Sequence, residues 1–368
     1  MELLTHAFIG AAIGEMLLGK HLGNRALAWG AAAGLLPSLD WLVMPFLDTA
    51  NQLWWQRGPS HSILVAMAAS ILLAKPLAEK WKREKISRAQ AGTFVFATLL
   101  THLLLDCMGA IGVAVLWPLP LDRVAFGMLS PSDPLVILPL LICIPWLAFL
   151  RNKKEQPKRR RILIRGLALT ISYLAFAVGM KFTADAGFRS DLATHRADGE
   201  RRIVIPTASN ALVWRAVVDR DQEVWVGHRS VFQRYSSSVR WVAYPRGDIA
   251  AGSWADEREV ARIKSFSDGF WIARSHKRGL WIADIRAGTA CDLGAHGKHA
   301  EFRMLRAWNF EPEAPKDRLI PSHADAPGVV SSLRKAGWWI RGHDPVELLP
   351  PRLAGVPGRF PEMLPVVE

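Results

Sequence analysis

Cysteine is scarce in this 368-residue chain. Cys107 and Cys143 lie in apolar runs and Cys291 stands alone in a more polar stretch, so neither a disulfide framework nor a cysteine zinc site follows. There is no Gly-rich phosphate loop, no clear internal repeat, and no HExxH or comparably compact metal motif. After about residue 182 no apolar run approaches the roughly 20 residues that span a bilayer. The start of the chain lacks a basic n-region, and its first apolar stretch begins too close to the terminus for an ordinary signal peptide.

What the chain does hold is divided. Half of its residues are hydrophobic and its net charge is +13, but the two properties are unevenly spread. Up to about residue 182, long apolar runs alternate with short basic clusters; beyond it, charge is dispersed and Trp is frequent. Candidate spans are 3–19, 26–47, 60–78, 91–112, 134–150 and 162–182. The expected fold is therefore an α-helical polytopic membrane domain of about six spans (1–186), followed by a β-rich soluble domain (187–368). Small residues in the first two spans (Gly10, Ala11, Gly14; Gly30 to Gly34) suit close helix packing. The prolines of the 134–150 run imply kinks tolerated by neighbouring helices.

Orientation follows from the short loops. Lys80, Lys82, Arg83, Lys85 and Arg88 fill 79–90, Arg151 to Arg161 are strongly basic, and Lys20 and Arg25 flank the first connection. The alternate connections, 48–59 and 113–133, are nearly charge-balanced. The positive-inside bias puts 20–25, 79–90 and 151–161 in the cytoplasm. In a bacterial inner membrane, six spans then leave both termini and the soluble half in the periplasm. A pI of about 10.0 suggests nucleic acid at first sight, but this basic charge reads as topology determination, and no nucleic-acid partner is expected.

In the second half, 211–219, 223–232, 240–245, 269–276 and 279–286 are β-branched and aromatic runs with turns between them, and Lys277-Arg278-Gly279 looks like a hairpin turn. The Trp residues there suit core packing better than a partner surface. His296 and His299 after Cys291 are too isolated for a metal site. The Pro-rich tail from about Pro345 reads as loosely ordered.

The most informative stretch is 91–116, whose apolar middle carries only His102 and Asp106. Four residues apart, they stack on one helical face. At membrane depth such a pair is costly unless each finds a partner, a water or a metal. The loop-charge argument uses none of the other ionisable residues near span ends, yet it places them on the same side. They are His6, Asp40, Arg57 and His61, with Asp133 at the start of the fifth span. Three histidines with two or three carboxylates form the ligand set of a zinc or similar divalent site, where a bound water becomes hydroxide at neutral pH. Read one at a time they have bland alternatives: an interfacial His6, a helix-capping Asp40, Arg57 against a headgroup, and a His102–Asp106 pair that only holds helices together or relays protons.

The order Thr5-His6-x3-Gly10, Gly34-x2-Pro37-x2-Asp40, Arg57-Gly-Pro-Ser-His61-Ser62 and His102-x3-Asp106 resembles the membrane-bound metal-dependent hydrolases, inner-membrane-associated proteins of which some are labelled LexA-binding. Trp117-Pro118, Asp133-Pro134 and Pro206-x3-Asn210-Ala-Leu-Val-Trp214-Arg215 are similar to further elements of that family. The resemblance implies metal ligation by His6, Asp40, His61, His102 and Asp106, with a divalent metal, zinc by preference, as cofactor. It implies catalytic roles for Arg57 and Asp106, Arg57 being suited to an anionic group such as a phosphate. Two departures stand out. Ser38 occupies the place of the first Asp in the family's P-D-x-D element, which favours a single metal, and Ser60 replaces a Thr while keeping the hydroxyl.

The leading expectation is thus a metal-dependent membrane hydrolase acting on a lipid-like or phosphoester substrate, with membrane lipids as its surroundings. The alternatives are an ion- or proton-coupled transporter, against which no repeated pair of broken spans is evident, and a non-enzymatic membrane protein whose β-domain binds a protein partner.

Overall fold

The computed structural model describes residues 3–119, 123–130, 133–150, 153–207, 210–234, 238–247, 258–276, 279–288, 306–310 and 320–322. Residues 277 and 278 of the expected hairpin turn, Cys291, His296, His299 and the tail from Pro345 lie outside them. The chain forms two compact units: Met1–Phe46, Trp55–Phe126 and Pro131–Ala177 in the first, and Leu47–Trp54, Gly127–Ser130 and Val178–Glu368 in the second.

The first unit is helical: α1 (Leu3–Leu22), α2 (Asn24–Leu35), α4 (Ile63–Lys80), α5 (Arg88–Cys107), α6 (Pro134–Phe149) and the first part of α7 (Gln156–Thr194). The short α3 (Thr49–Trp55) precedes α4. Each expected span contains one helix of this set, but the span count is not settled by them. By length and composition three described helices (α1, α5 and α7) can cross a membrane, or up to five spans if two bent pairs each count as one, with α6 falling short. The bent pairs are a departure from the sequence reading. α2 turns by 52° into 3₁₀ turns at Pro37–Phe46, and the segment ending at His61 turns by 54° into α4. Pro37 and Pro59 open the turns at these breaks, each placed where its missing N–H is not needed.

α1 and α2 pack tightly because glycines face each other. A Cβ on Gly10 would strike the carbonyl oxygen of Gly30, and one on Gly34 would strike that of His6, so any larger residue forces the helices apart. Ser87 starts α5 with a capping box completed by Gln90. α5 stops at Cys107, five residues before the expected end, as the chain turns toward Gly112 with its positive φ of 81°. α7 runs well past 162–182 at both ends, with Pro157 in its first turn, where a missing N–H costs nothing.

One residue of the expected basic loop 151–161 is not free. Arg159 is buried and reaches both carboxylate oxygens of Glu15 on α1 (2.8 and 2.7 Å). It also donates to Asn24 Oδ1 and to the carbonyls of Leu147 and Leu150 that end α6. A guanidinium can satisfy a carboxylate and orphan helix carbonyls at once, and so clamps three helices.

The second unit is built on two antiparallel four-stranded meanders. The first is β1 (Arg202–Pro206), β2 (Val213–Arg220), β3 (Glu223–Ser230) and β4 (Trp241–Pro245); the second is β5 (Trp271–His276), β6 (Gly279–Asp284), β7 (Ala307–Phe310) and β8 (Ile320–Ser322). All five expected strand runs are strands. Val217, Val226 and Tyr244 from one sheet share a buried cluster with Ile272, Ala283 and Ala307 from the other, which makes one core between two faces. The strands β1, β7 and β8 and the amphipathic α8 (Arg258–Phe266) are additions to the sequence reading. The described Trp residues of the sheets are buried or half-buried.

Removing one partner of the Glu15–Arg159 pair leaves the other charge buried alone. Arg159→Met is expected to lower stability by about 3–5 kcal/mol, with much of the loss recovered in a Glu15→Met/Arg159→Met double variant. Thermal unfolding of the detergent-solubilised variants measures both; a double variant no better than the single would count against the pair.

Candidate metal centre

Each helix delivers its polar residue to the same level. From Lys20 back to His6, from Lys80 back to Ile63 and from Arg88 forward to His102 and Asp106, the rise is about 21–27 Å at 1.5 Å per residue. At the opposite end the basic connections meet, where Arg25 Nη1 donates to Glu84 at 2.9 Å and the His21 ring lies 3.1 Å from the Glu84 carbonyl. The cluster therefore sits at the end of the bundle remote from the basic loops.

Asp106 is its centre. Its Oδ1 lies 3.2 Å from His6 Nε2 and 3.4 Å from Arg57 Nη2; its Oδ2 lies 3.3 Å from His61 Nε2 and 3.5 Å from His102 Nε2. The two outer imidazoles meet at 3.1 Å between His61 Nε2 and His102 Nε2, and the His6 and His102 rings stack with centroids 3.7 Å apart. The three histidines and Asp106 are buried. One ligand-type atom from each of His6, His102 and Asp106 lies within 4.8 Å of the others.

The outward-facing nitrogens set the ring orientation. His102 Nδ1 lies 2.7 Å from the carbonyl of Gly34, one of the last carbonyls of α2, left without a helical partner because the helix ends at Leu35. A carbonyl only accepts, so Nδ1 carries the hydrogen and Nε2 turns a lone pair toward Asp106. His61 Nδ1 lies 2.8 Å from Ser60 Oγ and 3.7 Å from Asp40 Oδ2. With its hydrogen on Nδ1, three electron-rich atoms face one another across the centre; with it on Nε2, Nδ1 accepts the Ser60 hydroxyl and Nε2 donates toward His102 and Asp106. His6 Nδ1 is buried with no hydrogen-bond partner among the described residues. Three imidazoles and a carboxylate brought this close together are a donor set that fits a cation.

Asp40 stands apart from the other expected ligands. It lies on the Nδ1 side of His61, away from the atoms around Asp106, and its Oδ2 accepts the backbone N–H of Arg57 at 3.0 Å. Arg57 has a φ of 51°, unusual for a non-glycine residue. The Asp40 bond holds that backbone, and the backbone aims the guanidinium at Asp106. Asp133 joins none of these contacts; it caps α6 at Leu135 and accepts the Tyr173 hydroxyl at 2.6 Å. The sequence reading missed the Gly34 carbonyl and Ser60 as partners of the rings, and only the end of α2 could have hinted at the first.

Residues 1–184 match the family described as YdjM inner membrane protein. Inner membrane protein YbcI of Escherichia coli (strain K12) is 32% identical over 117 residues, which cover 31% of this chain and 66% of that protein. The chain thus spans slightly less than two thirds of the length of this curated relative. No solved structure matches.

Asp40→Ala strands the Arg57 N–H and is expected to cost about 1–3 kcal/mol in thermal unfolding. Asp40→Asn keeps an accepting oxygen and should cost clearly less. Equal losses would show that the backbone bond is not what Asp40 supplies.

Proposed function

The chain belongs to the YdjM inner membrane protein family, and from that premise we propose that it is a metal-dependent hydrolase of the bacterial inner membrane. The observation that carries the reading is the convergence of three imidazole Nε2 atoms on Asp106 with a guanidinium beside them. His6, His61, His102 and Asp106 would hold one divalent cation, zinc being suited to a set of nitrogens and one carboxylate. When bound, such a cation supplies Lewis acidity toward a carbonyl or phosphoryl oxygen.

The protein's own groups divide the remaining work. Arg57, partly accessible, holds an anionic oxygen of a phosphoester or lipid-like substrate in its planar fork. Asp106 Oδ1, between His6 and Arg57, is the oxygen positioned to take a proton from water. Asp40, assigned to ligation by the sequence resemblance, acts instead from behind His61 by orienting the ring and the Arg57 turn. With Ser38 in place of a carboxylate, one metal suffices for the donors present. The positive-inside argument puts this end of the bundle, and the β-rich part beyond residue 186, on the periplasmic side.

A specific observation favours a second reading. The bends after Leu35 and before Ile63 lie beside the cluster, and paired broken helices around buried ionisable residues also suit an ion- or proton-coupled transporter.

Detergent-purified protein is expected to retain about one divalent metal per chain by elemental analysis, and His61→Ala and His102→Ala to lose it. Folded wild type that carries no metal and rebinds none would sink the hydrolase reading, and metal-independent uptake that requires Asp106 would establish the transporter. A C-terminal reporter active only in the periplasm should be active; a signal from a cytoplasmic reporter would overturn the orientation.

A further inference from the structure

The two backbone polar groups of Arg57 are held by two different segments. Its N–H goes to Asp40 in the turns at Pro37–Phe46, and its carbonyl accepts the N–H of Ala114 at 3.1 Å. The second segment is tied again to the start of α4, where Ser62 Oγ donates to the Trp117 carbonyl at 2.7 Å and Ile63 N–H to that of Val115 at 2.9 Å. Both segments turn large apolar side chains outward. Trp41 is 52% exposed and Phe46 87% on the first, with Leu42 also exposed; Leu119 is 57% exposed on the second, where Leu116 is exposed too. Within 36–46 the only charged residue is Asp40, which faces inward, and 113–119 has none.

Five large apolar side chains exposed on these two segments would be a costly surface in water and an ordinary one in hydrocarbon. The first segment continues α2, and the cluster's height of about 21–27 Å from the basic ends compares with a hydrocarbon core of about 30 Å. Both lips then lie in the acyl region of one leaflet, just below its headgroups. Between them the Arg57 side chain is 17% exposed, and a guanidinium fork matches phosphate oxygens. We propose that these two lips are immersed in the bilayer and that Arg57 takes the phosphate headgroup of an anionic phospholipid arriving sideways from that leaflet, its acyl chains against the lips. As a binding site this stands on the geometry alone; as the substrate class it rests on the hydrolase reading.

The test uses the full chain in nanodiscs of phosphatidylcholine and phosphatidylglycerol, with the three native cysteines replaced by serine. Spin labels at Leu42→Cys and Phe46→Cys are compared with Ile71→Cys on α4 and Gln222→Cys in the β2–β3 turn. Collision ratios for oxygen over a water-soluble nickel chelate should match position 71; ratios matching position 222 at both sites would overturn the immersion. After transfer to detergent, wild type and Arg57→Lys should retain phosphatidylglycerol several-fold above Arg57→Gln. Equal retention in all three, none in wild type, or release by millimolar inorganic phosphate would overturn the headgroup assignment. Metal content measured on the same samples keeps the outcomes apart: metal-free protein that retains the lipid sinks the hydrolase reading alone, and metal-loaded protein without lipid sinks this one alone.

Discussion

A carboxylate buried among apolar helices must be paired, and the first unit is arranged around that requirement at Asp106. Its four partners come from three places in the chain: His6 at the start of α1, Arg57 and His61 before α4, and His102 one turn back on α5. In a low-dielectric interior none of these contacts is optional, since an uncompensated charge costs several kcal/mol. The helix ends are therefore fixed relative to one another by electrostatics, while the glycine seam between α1 and α2 lets them approach closely enough for His6 and the Gly34 carbonyl to reach the same histidine.

The same requirement explains why two helices break there. Irregular backbone is tolerated at membrane depth only where protein or a cavity covers it. The end of α2 leaves a carbonyl that His102 uses, and the turn before α4 leaves an N–H that Asp40 uses. Each break thus converts an orphan backbone group into a device that orients a side chain of the cluster. The positive φ of Arg57 belongs to the same economy of positions: it is an unfavourable backbone state kept in place by a bond on either side of the residue.

Much of this was legible in the sequence. Hydropathy located every helix of the first unit, because burial in lipid demands long apolar runs, and β-branched alternation located five of the eight strands. The convergence of His6, Arg57, His61, His102 and Asp106 was legible from loop charge, which fixes which ends of the helices share a side. What escaped detection depends on side-chain direction. Arg159 reads as one more basic loop residue until its fork is seen on Glu15. Spacing gives the height of Asp40 but not the face of His61 it approaches. β1, β7 and β8 are too short, and α8 too charged, for pattern to mark them.

The two buried charge clusters of this unit make an instructive contrast. At the basic end, Glu15 has a bidentate partner and the donors of Arg159 are spent on a carboxylate, an amide and two helix carbonyls. The arrangement is a clamp. At the other end, distances around Asp106 are 3.2–3.5 Å rather than 2.7–2.8 Å, two imidazole nitrogens face each other, and His6 Nδ1 has no partner among the described residues. A cluster selected only to hold helices together would close those gaps, since each looser contact forfeits stability in a medium that offers no water in exchange. The longer contacts at Asp106, beside a clamp that shows the same chain building a tight one, are the contrast on which the proposed cation site rests.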